Sequence, residues 1–229
     1  MIVYLGDIRL KDMIAIAFES SGGKASVAIS RDGGILAQAA HLARHGHAAW
    51  LLTLARDALA EAGLTAADCD IVLGGRGPGS FTGIRVALAA AKGLGLGLGI
   101  PARGLSSLEA MAAAVADGAN HVAAIADSRR GSVFLALVGP DGEILEPPQD
   151  LTPEAAGKRL AATAPGLIIT GHVDLVPMIA GMETCQVITA EPEAAQLCQY
   201  FISSGDIDPA AMPLEPLYLA PPLLGPSGP

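Results

Sequence analysis

The residues best spaced for chemistry lie in one short stretch. Gly75, Gly77 and Gly79, followed by Ser80 and Thr82, stand between an apolar run at 70–74 and a small-residue run from Thr82 onward. The pattern reads as strand, tight turn and helix. Glycines in such a turn let backbone N–H groups close on a ligand, and the positive end of the helix that follows favours an anion. Ser80 or Thr82 can cap that helix by accepting a bond from an N–H of its first turn. Ser20-Ser21-Gly22-Gly23 reads as a further tight loop. The candidate anion or nucleotide residues of the glycine turn are therefore Gly75, Gly77, Gly79 and Ser80. The competing reading is a turn whose glycines serve only the close packing of helix on sheet.

The stricter motifs fail. A P-loop needs Lys and then Ser or Thr after its last glycine, but Ile84 and Arg85 follow Gly83. A dinucleotide fingerprint begun at Gly77 needs a glycine where Thr82 stands. A nucleophile elbow around Ser80 meets Pro78 and Thr82 where glycines are required. His41 and His45 are four apart, as two ligands on a helix could be, but no Glu or Cys completes a set with them and His47, so no metal is expected. Cys69, Cys185 and Cys198 are odd in number and lack a CxxC spacing, which reads as reduced thiols. No Ser-His-Asp arrangement has any spacing cue.

Residues 75–112, GRGPGSFTGIRVALAAAKGLGLGLGIPARGLSSLEAMA, closely resemble the signature of the TsaB (YeaZ) family. That family is the partner subunit in bacterial formation of N6-threonylcarbamoyladenosine at position 37 of tRNAs reading codons that begin with A. The resemblance implies a non-catalytic dimerisation subunit without a cofactor. It would support a TsaD-like transferase beside a TsaE-like ATPase, pair with the transferase or with itself through two helices, and meet tRNA only through its partners. Residues 18–26, FESSGGKAS, resemble the first phosphate loop of the actin-like ATPase superfamily, which in this family usually reads Asp-Thr-Ser. Glu19, Ser20 and Ser21 stand in those places, so the resemblance adds Ser20 and Ser21 to the anion or nucleotide candidates, with Glu19 expected to be a solvated loop carboxylate. The transferase relative carries a His-x-x-x-His metal pair whose matching positions are Ser107 and Met111, so that metal is expected to be missing. The run from Asp127 to Gly131 resembles the family's Asp-x-Arg-x-Gly loop. The alternative function is a stand-alone hydrolase, either a glycoprotease-like peptidase or a weak ATPase.

The elements that must position these loops recur in order. Apolar runs at 13–18, 25–30 and 35–40, broken at Ser20–Gly23 and Asp32–Gly34, predict an antiparallel meander. A helix follows over 45–62, with Trp50, Leu51, Leu54, Ala58 and Leu59 at helical spacing and Gly63 at its end. Further strands at 122–126, 132–138 and 143–145, a helix over 153–163, strands at 167–170 and 186–189 and a helix over 193–203 repeat the order. This is an α/β pattern, a duplicated ribonuclease-H-like fold of the actin-like ATPase superfamily, with two lobes of mixed sheet and helices. The lobes are placed at 13–116 and 117–220, with 1–12 read as an extension and 221–229 as a flexible tail.

Small residues along 82–97 let another backbone approach closely, and glycine costs about 1 kcal/mol against alanine inside a helix, so a packing reason is wanted. The expected partner face is Trp50, Leu51, Leu54 and Ala58 with Gly83, Ala87, Ala90, Ala91 and Gly97. A formal charge of −9, with only 14 basic residues and no run of them, argues against gripping tRNA directly. No opening signal segment is read, because Asp7, Arg9, Lys11 and Asp12 interrupt the apolar start. The low-charge stretch 93–102 is too short to span a bilayer, so a cytoplasmic protein without a membrane role is expected.

Overall fold

The computed structural model describes residues 4–5, 8–9, 12–42, 47–179, 185–205 and 212–219. A two-residue hairpin, β1 (Tyr4–Leu5) and β2 (Ile8–Arg9), precedes the first lobe. The C-terminal residues 220–229 lie outside the described residues.

β3 (Ile14–Glu19), β4 (Lys24–Arg31) and β5 (Gly34–Leu42) form the meander. β3 is apolar on both faces up to its last residue, Glu19, and wholly buried, because helices cover both sides of the sheet. The β4–β5 turn places Asp32 at φ 52° and Gly33 at φ 82°. Two successive positive φ values give the twist that a tight hairpin needs, and the Asp32 carboxylate accepts a bond from the Met13 N–H at 2.9 Å. α1 (His47–Glu61) then leads to β6 (Ile71–Gly75), and α2 (Phe81–Leu98) to β7 (Ala102–Leu105). The sheet order is β5-β4-β3-β6-β7, with β6 parallel to both β3 and β7.

The second lobe repeats that order as β10-β9-β8-β11-β12. Its strands are β8 (Val122–Asp127), β9 (Val133–Val138), β10 (Ile144–Leu151), β11 (Leu167–Thr170) and β12 (Gln186–Thr189). α4 (Pro153–Thr163) is the first crossover. Where the first lobe has α2, the described residues of the second carry a 3-10 turn, Val173–Met178.

The lobes exchange their last helices. α3 (Ser107–Ala113) follows the first sheet but packs on β8 and β9, while α5 (Ala194–Ser203) packs on β3, β4 and β6, and the two helices touch. Leu108, Met111 and Ala112 accordingly share a core with Val122, Ala124 and Phe134. Leu197, Cys198, Tyr200 and Phe201 share one with Ala15, Ala17 and Leu73. Each lobe thus completes the other's core, which fixes the cleft between them.

β7 and α3 are absent from the sequence reading. β7 is four residues without alternation, and its Gly104 is chosen by a backbone: a Cβ there would sit 2.3 Å from the Pro213 carbonyl oxygen, whose segment covers the sheet edge. The Gly104 N–H donates to the Met212 carbonyl oxygen at 3.2 Å.

Candidate functional site

The glycine turn and the first loop meet at the mouth of a cleft of about 330 Å³ between the lobes. β6 delivers the turn and β3 the loop, and their parallel pairing, with Phe18 beside Gly74, puts both at the same end of the sheet. Ser80 caps α2 by accepting from the Gly83 N–H at 3.2 Å. From the second lobe Asp127 to Arg130, His172 and Glu191 complete the lining.

Three of the backbone donors of this loop and turn, on Gly23, Gly77 and Ser80, are turned on the protein itself. The Ser80 N–H donates to the Ser21 carbonyl oxygen at 2.7 Å, and the Gly77 N–H to Ser107 Oγ at 3.2 Å. Ser20 Oγ donates to the Gly83 carbonyl oxygen at 2.7 Å. The Glu191 carboxylate accepts from the Gly23 N–H at 3.1 Å and sits where a side chain on Gly22 would go, 2.4 Å from the place of its Cβ. Ser20, Ser21, Gly75, Gly77, Gly79 and Ser80 are therefore brought together. Their glycines are used for close approach: a Cβ on Gly75 would strike Glu19, and one on Gly79 the Ser21 carbonyl oxygen.

Glu19 is not the solvated loop carboxylate expected. It ends β3 with no exposed surface, one oxygen accepting from the Ser21 N–H at 2.6 Å and the other from Ser107 Oγ at 2.5 Å. The extra methylene relative to aspartate, together with Gly75 beside it, carries the carboxyl inward onto α3. Burial pushes its pKa above the usual 4.5, and the bonds from Ser107 and the Ser21 backbone offset part of that rise. Ser107 is 1% exposed and so is Met111. Ser107 is occupied by Glu19 and Gly77, so the position that resembles the relative's metal ligand is filled by a hydrogen-bonded hydroxyl. Among the described residues no group of three His, Cys, Asp or Glu could hold a metal. His41 stacks on Trp50, with ring centroids 4.0 Å apart, and His45 lies outside the described residues.

The expected partner face needs correction. Leu51, Leu54, Ala58, Gly83, Ala87 and Ala91 are buried in their own lobe, because the small residues at every fourth position of α2 face the sheet. A Cβ on Gly83 would lie 1.8 Å from the Ser20 carbonyl oxygen, so this glycine serves an internal approach. Ala90 is half-buried; only Trp50 and Gly97 of the nine are exposed. The outward surface of α1 and α2 instead includes Trp50, Leu52, Ala89, Gly93, Leu96 and Gly97, with Leu52 65% and Leu96 75% exposed, beside the charged Arg56, Asp57, Arg85 and Lys92. α2 is also the one helix among the described residues long and apolar enough to cross a membrane, a longer span than the stretch 93–102 considered from the sequence. Its buried stripe packs on β6 and β3.

Two five-stranded mixed sheets of the same order, with exchanged terminal helices around a cleft, define the duplicated ribonuclease-H-like fold of the actin-like ATPase superfamily. A family model described as "TsaD: tRNA N6-adenosine threonylcarbamoyltransferase" matches residues 24–165. A curated Escherichia coli relative, tRNA threonylcarbamoyladenosine biosynthesis protein TsaB, is 36% identical over 126 residues, 54% of each chain. The Bacillus subtilis protein of the same name is 28% identical over 134 residues, 58% of each chain. The chain thus matches little more than half the length of these curated relatives. A solved Pseudomonas aeruginosa structure, described as similar to peptidase YeaZ, is 26% identical with a TM-score of 0.77, covering 91% of this chain and 100% of that one. The chain belongs to this threonylcarbamoyltransferase family, and within it to the TsaB (YeaZ) group.

Proposed function

We propose that this protein acts in tRNA N6-threonylcarbamoyladenosine formation as a non-catalytic subunit. It would dock on a TsaD-like transferase, beside a TsaE-like ATPase, through the outward surface of α1 and α2, and the same surface would serve a homodimer. The names of its relatives support the pathway. The observation that carries the non-catalytic part is the bond from Ser107 to Glu19: the place of the relative's metal pair holds a buried serine and a buried methionine, and the Ser80 and Gly23 N–H groups at the cleft are bonded internally. The hydrolase alternative would need an exposed nucleophile with a base, whereas Ser107 and its carboxyl partner are sealed from solvent.

The acidic chain, with 23 Asp and Glu against 14 Lys and Arg, would leave tRNA to its partners in the cytoplasm. The test is reconstitution. Mixed with its cognate transferase, the chain should co-elute from a sizing column, and tRNA modification should depend on adding it. Separate elution, or hydrolysis of ATP or peptide by the chain alone above a buffer blank, would overturn the reading.

A further inference from the structure

A second cleft joins the lobes and shares no lining residue with the first. Its volume is about 250 Å³. The glycine turn supplies Arg76, the start of α3 supplies Ser106 and Glu109, and α5 supplies Tyr200. Pro147 and Pro148 lean in from β10 at an irregularity of its pairing with β9, between Glu146 and Gln149. Met212 and Leu217 close the remaining side.

Two opposite charges line this cleft without meeting. Arg76 is held by its own chain: its N–H donates to the Leu105 carbonyl oxygen at 2.9 Å, its Nε to the Glu215 carbonyl oxygen at 3.0 Å. Glu109 Oε2 accepts from the Tyr200 hydroxyl at 3.2 Å. Among the described residues Arg76 and Glu109 form no ion pair, although each lies in the other's field and Arg76 also in that of Glu215, and the Glu109 carboxyl has Ser106 as a second side-chain hydrogen-bond partner. Both are half-buried; burial pushes the Glu109 carboxyl up, offset in part by Tyr200, Arg76 and Ser106, and the Arg76 guanidinium down, offset in part by Glu109 and Glu215.

A lone anion on Arg76 would face the carboxylate, and a lone cation on Glu109 would face the guanidinium. A ligand carrying both charges a few bonds apart satisfies both at once and removes the cost of leaving either desolvated. The volume is below the roughly 300–1,000 Å³ of sites for drug-sized molecules, so the ligand is small. The proline, methionine and leucine walls call for an aliphatic side chain. We infer that this cleft binds a free aliphatic α-amino acid, its carboxylate on Arg76 and its ammonium on Glu109 and the Tyr200 oxygen. The inference stands apart from the partner-subunit reading.

The experiment uses the full chain and three probes, L-alanine, L-valine and L-leucine, followed by calorimetry and by saturation-transfer NMR. At least one should bind with a Kd of about 1 mM or tighter, a free energy near −4 kcal/mol. N-acetyl-leucine and leucine amide, each lacking one charge, should bind at least about tenfold more weakly. Arg76→Gln and Glu109→Gln should each lose binding by a similar factor with the circular dichroism unchanged, and Tyr200→Phe by less. No saturation by any probe at about ten times that concentration would overturn the assignment. So would equal binding of the single-charge analogues, a comparison on the unaltered protein that does not depend on any variant folding.

Discussion

Ser107 Oγ donates a 2.5 Å hydrogen bond to Glu19 Oε2, joining the end of β3 to the start of α3 across 88 positions of the chain. Through it the first sheet grips a helix that packs on the second, and the same hydroxyl receives the Gly77 N–H of the glycine turn. One buried serine therefore links the loop, the turn and both lobes.

Removing that serine should be felt as stability. Ser107→Ala leaves a buried carboxyl and a buried N–H each one bond short, at a cost of about 1–3 kcal/mol for an unsatisfied buried group. Chemical denaturation should show a lower midpoint with an unchanged slope. A loss under about 0.5 kcal/mol would mean the bond is matched by solvent.

The Glu19 carboxyl gives a pH dependence of defined sign. Its folded pKa is raised above the usual 4.5, so the folded state holds the proton more tightly than the unfolded chain does. That contribution is fully present below the unfolded value and is lost as pH climbs from there through the folded one. Thermal scans between about pH 4 and pH 8 should show Glu19→Gln, which is neutral throughout, losing less stability on the alkaline side than the parent. Parallel curves for the two proteins would show that this group does not titrate in the window.

Two glycines of α2 should respond oppositely to alanine. Nothing lies within 4 Å of a Cβ on Gly93, so Gly93→Ala should stabilise by up to about 1 kcal/mol through helix propensity alone. At Gly83 the new carbon would meet the Ser20 carbonyl oxygen at 1.8 Å, forcing backbone apart and costing more than about 2 kcal/mol. Melting temperatures of the two variants, measured side by side, decide it.

The partner surface can be tested without disturbing the core. Gly93→Arg and Ala89→Glu place bulk and charge on the outward side of α2 and should leave the fold intact. They should weaken association with the transferase by several kcal/mol if that side is covered in the complex. Ala87→Arg, at a position with no exposed surface, should unfold the subunit instead. Full complex formation by the two folded variants would move the interface elsewhere on the molecule.

Much of the fold was legible in the chain alone. Strand runs, the hairpin at Asp32–Gly33, the serine cap of α2 and the twice-repeated order follow from local periodicity and turn chemistry, which act over a few residues. The helix over 153–163 and the strands at 167–170 and 186–189 fall where the sequence puts them. The family wording of 75–112 pointed to the right relatives.

What depended on distant packing was not legible. Small residues along α2 look alike in sequence, yet Gly83, Ala87 and Ala91 face the sheet while Ala89, Gly93 and Gly97 face out, and only the docked helix assigns the two stripes. Glu19 read as a loop carboxylate because its partner stands 88 positions away on a helix that crosses to the other lobe. Arg76, Glu109 and Tyr200 carry no shared motif, and they line one cleft only because α3 and α5 trade sheets. Local free energy chose the elements; burial against partners remote in sequence chose which of their faces met, and so where the charges came to rest.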